Sequence, residues 1–167
     1  DLLSAGLRSR RRAAIDFFRQ TCLCSRSRPL QRIALPAAAS ANRHRLASGL
    51  LASLGRRVVV PWPVYAEVGL LLRSRNHPEP ALAFGVALNE GVHQLLAPSA
   101  DELRMALSLG ERYLDTGVDL PDLMVMAMAT SRDCPILTWD FRHFRTVVLR
   151  QGHYWDLLVG EADLPTS

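Results

Sequence analysis

Val58-Val59-Val60-Pro61-Trp62-Pro63-Val64-Tyr65-Ala66-Glu67-Val68 is the stretch whose reading decides the fold. Three β-branched residues closed by a proline suit a short buried strand. Pro63 falls where a first helical turn tolerates proline, and Val64, Val68, Leu71 and Leu72 then share one helical face. A buried strand that runs straight into an amphipathic helix is a building unit of a parallel α/β sheet.

The text on either side repeats that unit. Upstream, Ala47, Leu50, Leu51 and Leu54 recur at helical spacing, and Gly55 stops the helix. Downstream, the spacing predicts a helix over Pro80–Glu90, ended by Gly91, and a short strand near Val92–Ala97. Ser99 and Glu102 form a capping box ahead of Leu103, Leu107, Gly110 and Leu114. Pro121 opens a further helix to about Ser131, on which Met124, Met126 and Met128 read as packing residues. Ile136–Trp139 is predicted as a strand and Val147–Leu149 as a last short one. The expectation for 41–160 is one α/β domain, a mostly parallel central sheet flanked by helices, with 161–167 as a tail.

Residues 1–40 do not share this regularity. Arg, Ser and Ala dominate, and Pro29 and Pro36 interrupt any helix, so the segment is expected to be poorly ordered. It also carries the charge. All 20 basic residues are arginine, and eight of them precede Ile33 against only Asp1 and Asp16. That stretch is therefore +6 and the remainder −2 of the net +4, so the high isoelectric point says little about the folded part.

The bulk properties exclude several classes. The length, 167 residues, suffices for one proper core. No uncharged apolar run approaches the roughly 18 residues of a membrane span, and Asp16 and Arg19 interrupt the only stretch resembling a secretory leader. Three cysteines, with Cys22 and Cys24 too close to bridge each other without strain, make no disulfide framework, and no Cys/His cluster has zinc spacing. The compartment expected is the reducing cytosol. Neither a phosphate-binding loop nor a dinucleotide fingerprint occurs, and the serines lack evident His and Asp partners.

Three carboxylates stand out because their neighbours are apolar. Glu67 lies three residues after Val64 and four before Leu71, Asp122 precedes Val125, Met126 and Ala129 at helical spacing, and Asp140 follows the strand Ile136–Trp139. Taken singly, Glu67 could pair with an arginine, Asp122 could serve the helix dipole, and Asp140 could open a turn. Taken together, three elements that should pack each present one acid, the last at the carboxyl end of a strand, where crevices of open α/β sheets lie. Such carboxylates repel and resist burial unless a cation neutralises them, and all-oxygen ligation suits Mg²⁺ or Mn²⁺. His143 and His153 read as surface or turn residues.

These same residues carry a family resemblance. Val59–Val68 resembles the strand–helix junction of PIN-domain proteins, in particular VapC-type toxins. Asp119-Leu120-Pro121-Asp122-Leu123-Met124-Val125-Met126-Ala127-Met128-Ala129 resembles the family's second acidic helix, and Ile136-Leu137-Thr138-Trp139-Asp140-Phe141-Arg142-His143-Phe144 its T-x-D-x-x-H-F segment. The resemblance spans about 41–160. It implies a metal-dependent endoribonuclease, the toxin of a toxin–antitoxin pair, with Glu67, Asp122 and Asp140 holding Mg²⁺ or Mn²⁺. It further implies Asp119 as an auxiliary acid, Thr138 as a supporting hydrogen-bonding residue, Arg142 and Arg145 as RNA contacts, a homodimer, and an antitoxin that blocks the pocket.

One motif of the family is missing. Its first acid lies on an N-terminal strand that should fall near Arg26–Ile33, where this chain has neither an acid nor a strand pattern; Asp16 is the only upstream substitute. The N-terminal strand is therefore expected to be missing or altered, residues 1–40 replacing the family's start through a shifted or misassigned reading frame. A catalytically inactive PIN-like module that binds RNA or protein is the rival expectation.

Overall fold

The computed structural model describes residues 23–25, 39–74, 76, 78–149 and 152–160. Four strands and six α-helices make up the regular part of these residues. In chain order they are β1 (Leu23–Ser25), α1 (Ala39–Leu54), β2 (Val58–Pro61), α2 (Trp62–Ser74), α3 (Pro78–Asn89), β3 (Gln94–Leu96), α4 (Ala100–Arg112), α5 (Leu120–Arg132), β4 (Ile136–Leu137) and α6 (Phe141–Thr146). Of residues 1–40, read as poorly ordered, Leu23–Ser25 form a strand and Ala39 begins α1; the rest, with the strand sought near Arg26–Ile33 and the substitute Asp16, lies outside the described residues.

The sheet order is β3-β2-β1-β4. β2 and β3 are parallel, with Val60 opposite Leu95. β1 runs antiparallel to both neighbours, Cys24 facing Val59 on one side and Ile136 on the other. Because β2 and β4 each oppose β1, they run parallel to one another and to β3. The predicted parallel sheet thus holds for the three strands of the C-terminal region, and the central strand alone is reversed. A slot between two strands demands backbone donors and acceptors, and a strand of either direction can supply them.

This topology positions the acids. α2 follows β2 and α6 follows β4, so both helices begin at the carboxyl edge of the three parallel strands. α5 leads into β4 and must therefore start at that same edge.

The core explains why these segments form these elements. Val58, Val59 and Val60 are almost completely buried, and successive strand residues face opposite ways, so both faces of β2 are covered. Leu123 through Ala129 are buried without interruption, which makes α5 the central helix rather than an amphipathic surface one. Its methionines pack in the core, as expected. α4 lies close against it: a Cβ on Gly110 would stand 3.1 Å from Leu123 Cδ1. Trp155 ties the C-terminal segment to α5 by donating its indole N–H to Met126 O at 3.1 Å and to Thr130 Oγ1 at 3.0 Å.

The largest differences from prediction lie after Ile136. The strand over Ile136–Trp139 closes at Leu137, because Thr138 turns the chain into α6. Val147–Leu149 is not a strand; Leu157 instead makes a parallel bridge to Ile136, with Ile136 N donating to Asp156 O and Leu158 N to Ile136 O. Cys134, which is buried, is disulfide-bonded, a cross-link the cysteine spacing did not suggest.

Candidate metal centre

Asp140 is the first side chain the fold places. The backbone N–H of Asp140 donates to Thr138 Oγ1 at 3.0 Å, and Thr138 is fully buried, so the turn after β4 is held rigidly. The carboxylate of Asp140 then caps α6, its Oδ1 accepting from His143 N at 3.1 Å. N-capping normally stabilises by about 1 kcal/mol, and here it leaves Oδ2 3.1 Å from His143 Nδ1.

α5 is started in the same way. Asp119 Oδ1 accepts from Asp122 N at 3.1 Å, and Pro121 lies in the first turn, where its missing N–H costs nothing. Asp122 is mostly buried, its side chain 14% exposed, beside the positive end of the helix dipole. The expected auxiliary acid Asp119 is thus a helix cap as well as a charge.

Between the two helix starts lies His143. Its Nδ1–H donates to Asp122 Oδ2 at 2.7 Å and stands 3.1 Å from Asp140 Oδ2. A carboxylate only accepts, so Nδ1 carries the proton in this arrangement. Asp122, Asp140 and His143 each offer a ligand atom, all within 4.8 Å of one another. The sequence reading put His143 on the surface or in a turn, and the structure corrects that. The missed signal is local: a residue three positions after an N-cap aspartate is brought back over it.

Glu67 is not a member of this group. It lies on the flank of α2, whose buried stripe is Val64, Val68 and Leu72, and it is half-buried. Burial, followed by the charges of Asp119 and Asp122, pushes its carboxyl above the ordinary value of 4.5. Among the described residues no basic side chain forms an ion pair with it. The pairing with an arginine that its sequence position allowed is therefore not found there. Asp122 is near enough to influence Glu67 and also touches His143, which makes it the hinge of the acidic edge.

The raised carboxyl has a thermodynamic consequence. Folded protein holds the Glu67 proton more tightly than unfolded chain, so stability falls as pH rises from about 4.5 through the folded-state value. In chelator-treated protein at pH 7, Glu67→Gln is expected to raise the melting temperature. That gain should shrink towards zero as pH drops below 4.5. A melting temperature lowered by the substitution at pH 7 would show that Glu67 is not under charge strain.

Arg142 and Arg145 follow on α6 and are exposed. The Arg145 guanidinium lies 5.6 Å over the Tyr154 ring, a cation–π contact that fixes its base while leaving N–H groups for a ligand. A concavity of about 720 Å³ is lined by Trp62, Tyr65, Arg56 and His93 among others, with no acid in its wall. Tyr65 and Glu67 are two residues apart and so on opposite sides of α2. That cavity is not the acidic edge.

A model of the PIN domain covers residues 33–148, more than half of the chain. The chain belongs to the PIN domain family. No curated protein matches it. PIN domains are generally nucleases and typically use divalent metals, and the matched region contains Glu67, Asp119, Asp122, Asp140 and His143. In this PIN domain the donor types suit such an ion: two carboxylates and an imidazole each offer a ligand atom within 4.8 Å of the others, and a third carboxylate nearby is driven towards its neutral form.

Proposed function

We propose that this PIN domain is a metal-dependent endoribonuclease that hydrolyses RNA phosphodiester bonds, with Asp122 and Asp140 as ligands of one divalent cation, Mg²⁺ or Mn²⁺, and Glu67 as the acid beside it. The observation that carries this reading is the meeting of Asp122 and Asp140 at the carboxyl edge of the sheet. A bound cation would supply an activated water and offset charge on the phosphoryl oxygens. The chain's own groups do the rest. Thr138 holds the Asp140 turn, Asp119 holds the start of α5, and Glu67, with its affinity for a proton raised, suits proton transfer at the reacting water. Arg142 and Arg145 are the nearest exposed cations on the helix that Asp140 caps, and they would orient RNA phosphates.

The role we propose is that of the toxin in a toxin–antitoxin pair, acting in the cytoplasm as a homodimer and restrained by an antitoxin over the acidic edge. It is supported by the likeness of 59–68, 119–129 and 136–144 to VapC-type toxins. The test is RNA cleavage by the purified full chain in Mn²⁺. Treatment with EDTA should abolish cutting, and added Mn²⁺ should restore it. Cutting that persists in EDTA would end the metal-dependent reading.

A second reading is favoured by one specific feature. The central slot of the sheet, where the family carries its first acid, is filled here by Leu23–Ser25 running backwards, and that segment contains no acid. An inactive PIN module that binds RNA or protein accords with this. RNA bound in a gel-shift assay, but left intact in Mn²⁺, would select it.

A further inference from the structure

His143 separates this site from a purely carboxylate one. Its Nδ1 stands 2.7 Å from one oxygen of Asp122 and 3.1 Å from one of Asp140. Ligands about 2.1 Å from a common ion stand no more than roughly 4.2 Å apart, and both spacings lie within that limit. The ring is also held where it is. His143 N is bonded to Asp140 Oδ1, Val147 N donates to His143 O at 3.2 Å, and the next residue, Phe144, is fully buried. The imidazole is 20% exposed, so little movement towards solvent is open to it.

We infer that Nδ1 of His143, its proton passing to Nε2 when the cation takes the place of the hydrogen bond to Asp122, is the third protein ligand of the cation, beside Asp122 and Asp140, and that it makes the site one for Mn²⁺ or a later transition metal rather than Mg²⁺. This rests on the reading of the acidic edge as a cation site. The chemistry is that of donor softness. Mg²⁺ takes oxygen and keeps its water, whereas imidazole nitrogen raises affinity for first-row transition ions along the Irving–Williams order. The carboxylates bring the charge, and the nitrogen brings the selectivity.

The experiment uses the full chain stripped with EDTA and titrated with Co²⁺ or Mg²⁺, following the Co²⁺ visible spectrum and, for both ions, calorimetric heat. Unsubstituted protein should bind Co²⁺ at least ~10-fold more tightly than Mg²⁺. His143→Gln should weaken Co²⁺ binding roughly 10- to 100-fold, shift the Co²⁺ bands, and leave Mg²⁺ binding within about threefold. His143→Asp, which puts oxygen at this position, should narrow the preference for Co²⁺ and keeps the inference testable should the glutamine variant fold poorly. Equal binding of the two ions by the unsubstituted protein would overturn the inference. So would an equal loss of both in His143→Gln, since a residue that merely orients Asp122 weakens every ion alike. Asp122→Asn and Asp140→Asn distinguish the underlying reading: ion binding unchanged in both would remove the cation site itself, whereas binding lost in both but indifferent to His143 would remove only the ligand role.

Discussion

Asp140→Asn is expected to lower Mn²⁺-dependent RNA cleavage by roughly 100- to 1,000-fold, the scale on which losing one group that stabilises developing charge is felt. Asparagine is the informative replacement because its amide oxygen still caps a helix about as well as a carboxylate. The bond from His143 N, and with it the start of α6, should survive, so the variant should melt close to the unsubstituted protein. What it loses is a negative charge within 4.8 Å of Asp122 and His143. Asp122→Asn should cost a similar factor in activity, and because it also weakens the bond from His143 it should not gain stability. Asp140→Asn therefore separates activity from stability. Initial rates on a labelled RNA, together with melting curves in EDTA, measure both. Cleavage that survives both substitutions would rule out these acids as the reacting centre.

The second large effect lies far from that edge. Glu102 is almost fully buried, and its two oxygens serve three partners. Oε2 accepts from Ser99 N at 2.7 Å, completing the capping box of α4, while Oε1 accepts from Ser131 Oγ and Arg132 Nη1 at the other end of α5. Glu102→Ala removes the side-chain half of the capping box, leaving the Ser99 Oγ bond to the N–H of residue 102, and strips Arg132, itself only 17% exposed, of a carboxylate. Breaking a buried pair from one side costs about 3–5 kcal/mol. The low end applies, because α5 ends here and the guanidinium can turn outward. A loss of about 3 kcal/mol should lower the melting temperature by roughly 10 °C. Glu102→Gln, which keeps an acceptor, should cost less than half as much. Urea unfolding followed by circular dichroism measures it, and a loss under about 1 kcal/mol for the alanine variant would mean that the ion pair is not formed. Cation binding should not change, since the ten-residue separation along α5 puts about 15 Å between Arg132 and Asp122.

The contrast between these two sites shows how much could be read from the chain alone. The Ser99–Glu102 box is visible as letters because a cap is a local event, three residues long. Its extension to Ser131 and Arg132 is not, since it depends on how closely α4 and α5 approach, which Gly110 permits. Glu67, Asp122 and Asp140 were each conspicuous as acids among apolar neighbours. Spacing could say that the faces of their helices were buried, but not which oxygens would meet. The fold joined Asp122 and Asp140 through His143 and left Glu67 outside their group, acting through its charge.

Periodicity, proline and glycine positions and the capping box determined the run of strands and helices from Ala47 to Leu137, and with it the α/β class, because those signals act over one or two turns of chain. Tertiary structure alone decided three things: that the central strand runs backwards, that Glu67 stands apart from the closest acids, and that His143 lies between Asp122 and Asp140. Each depends on distances between segments remote in sequence. Hydrogen-bond demand in a sheet is blind to strand direction, and burial tells a side chain to face inward without naming its partner.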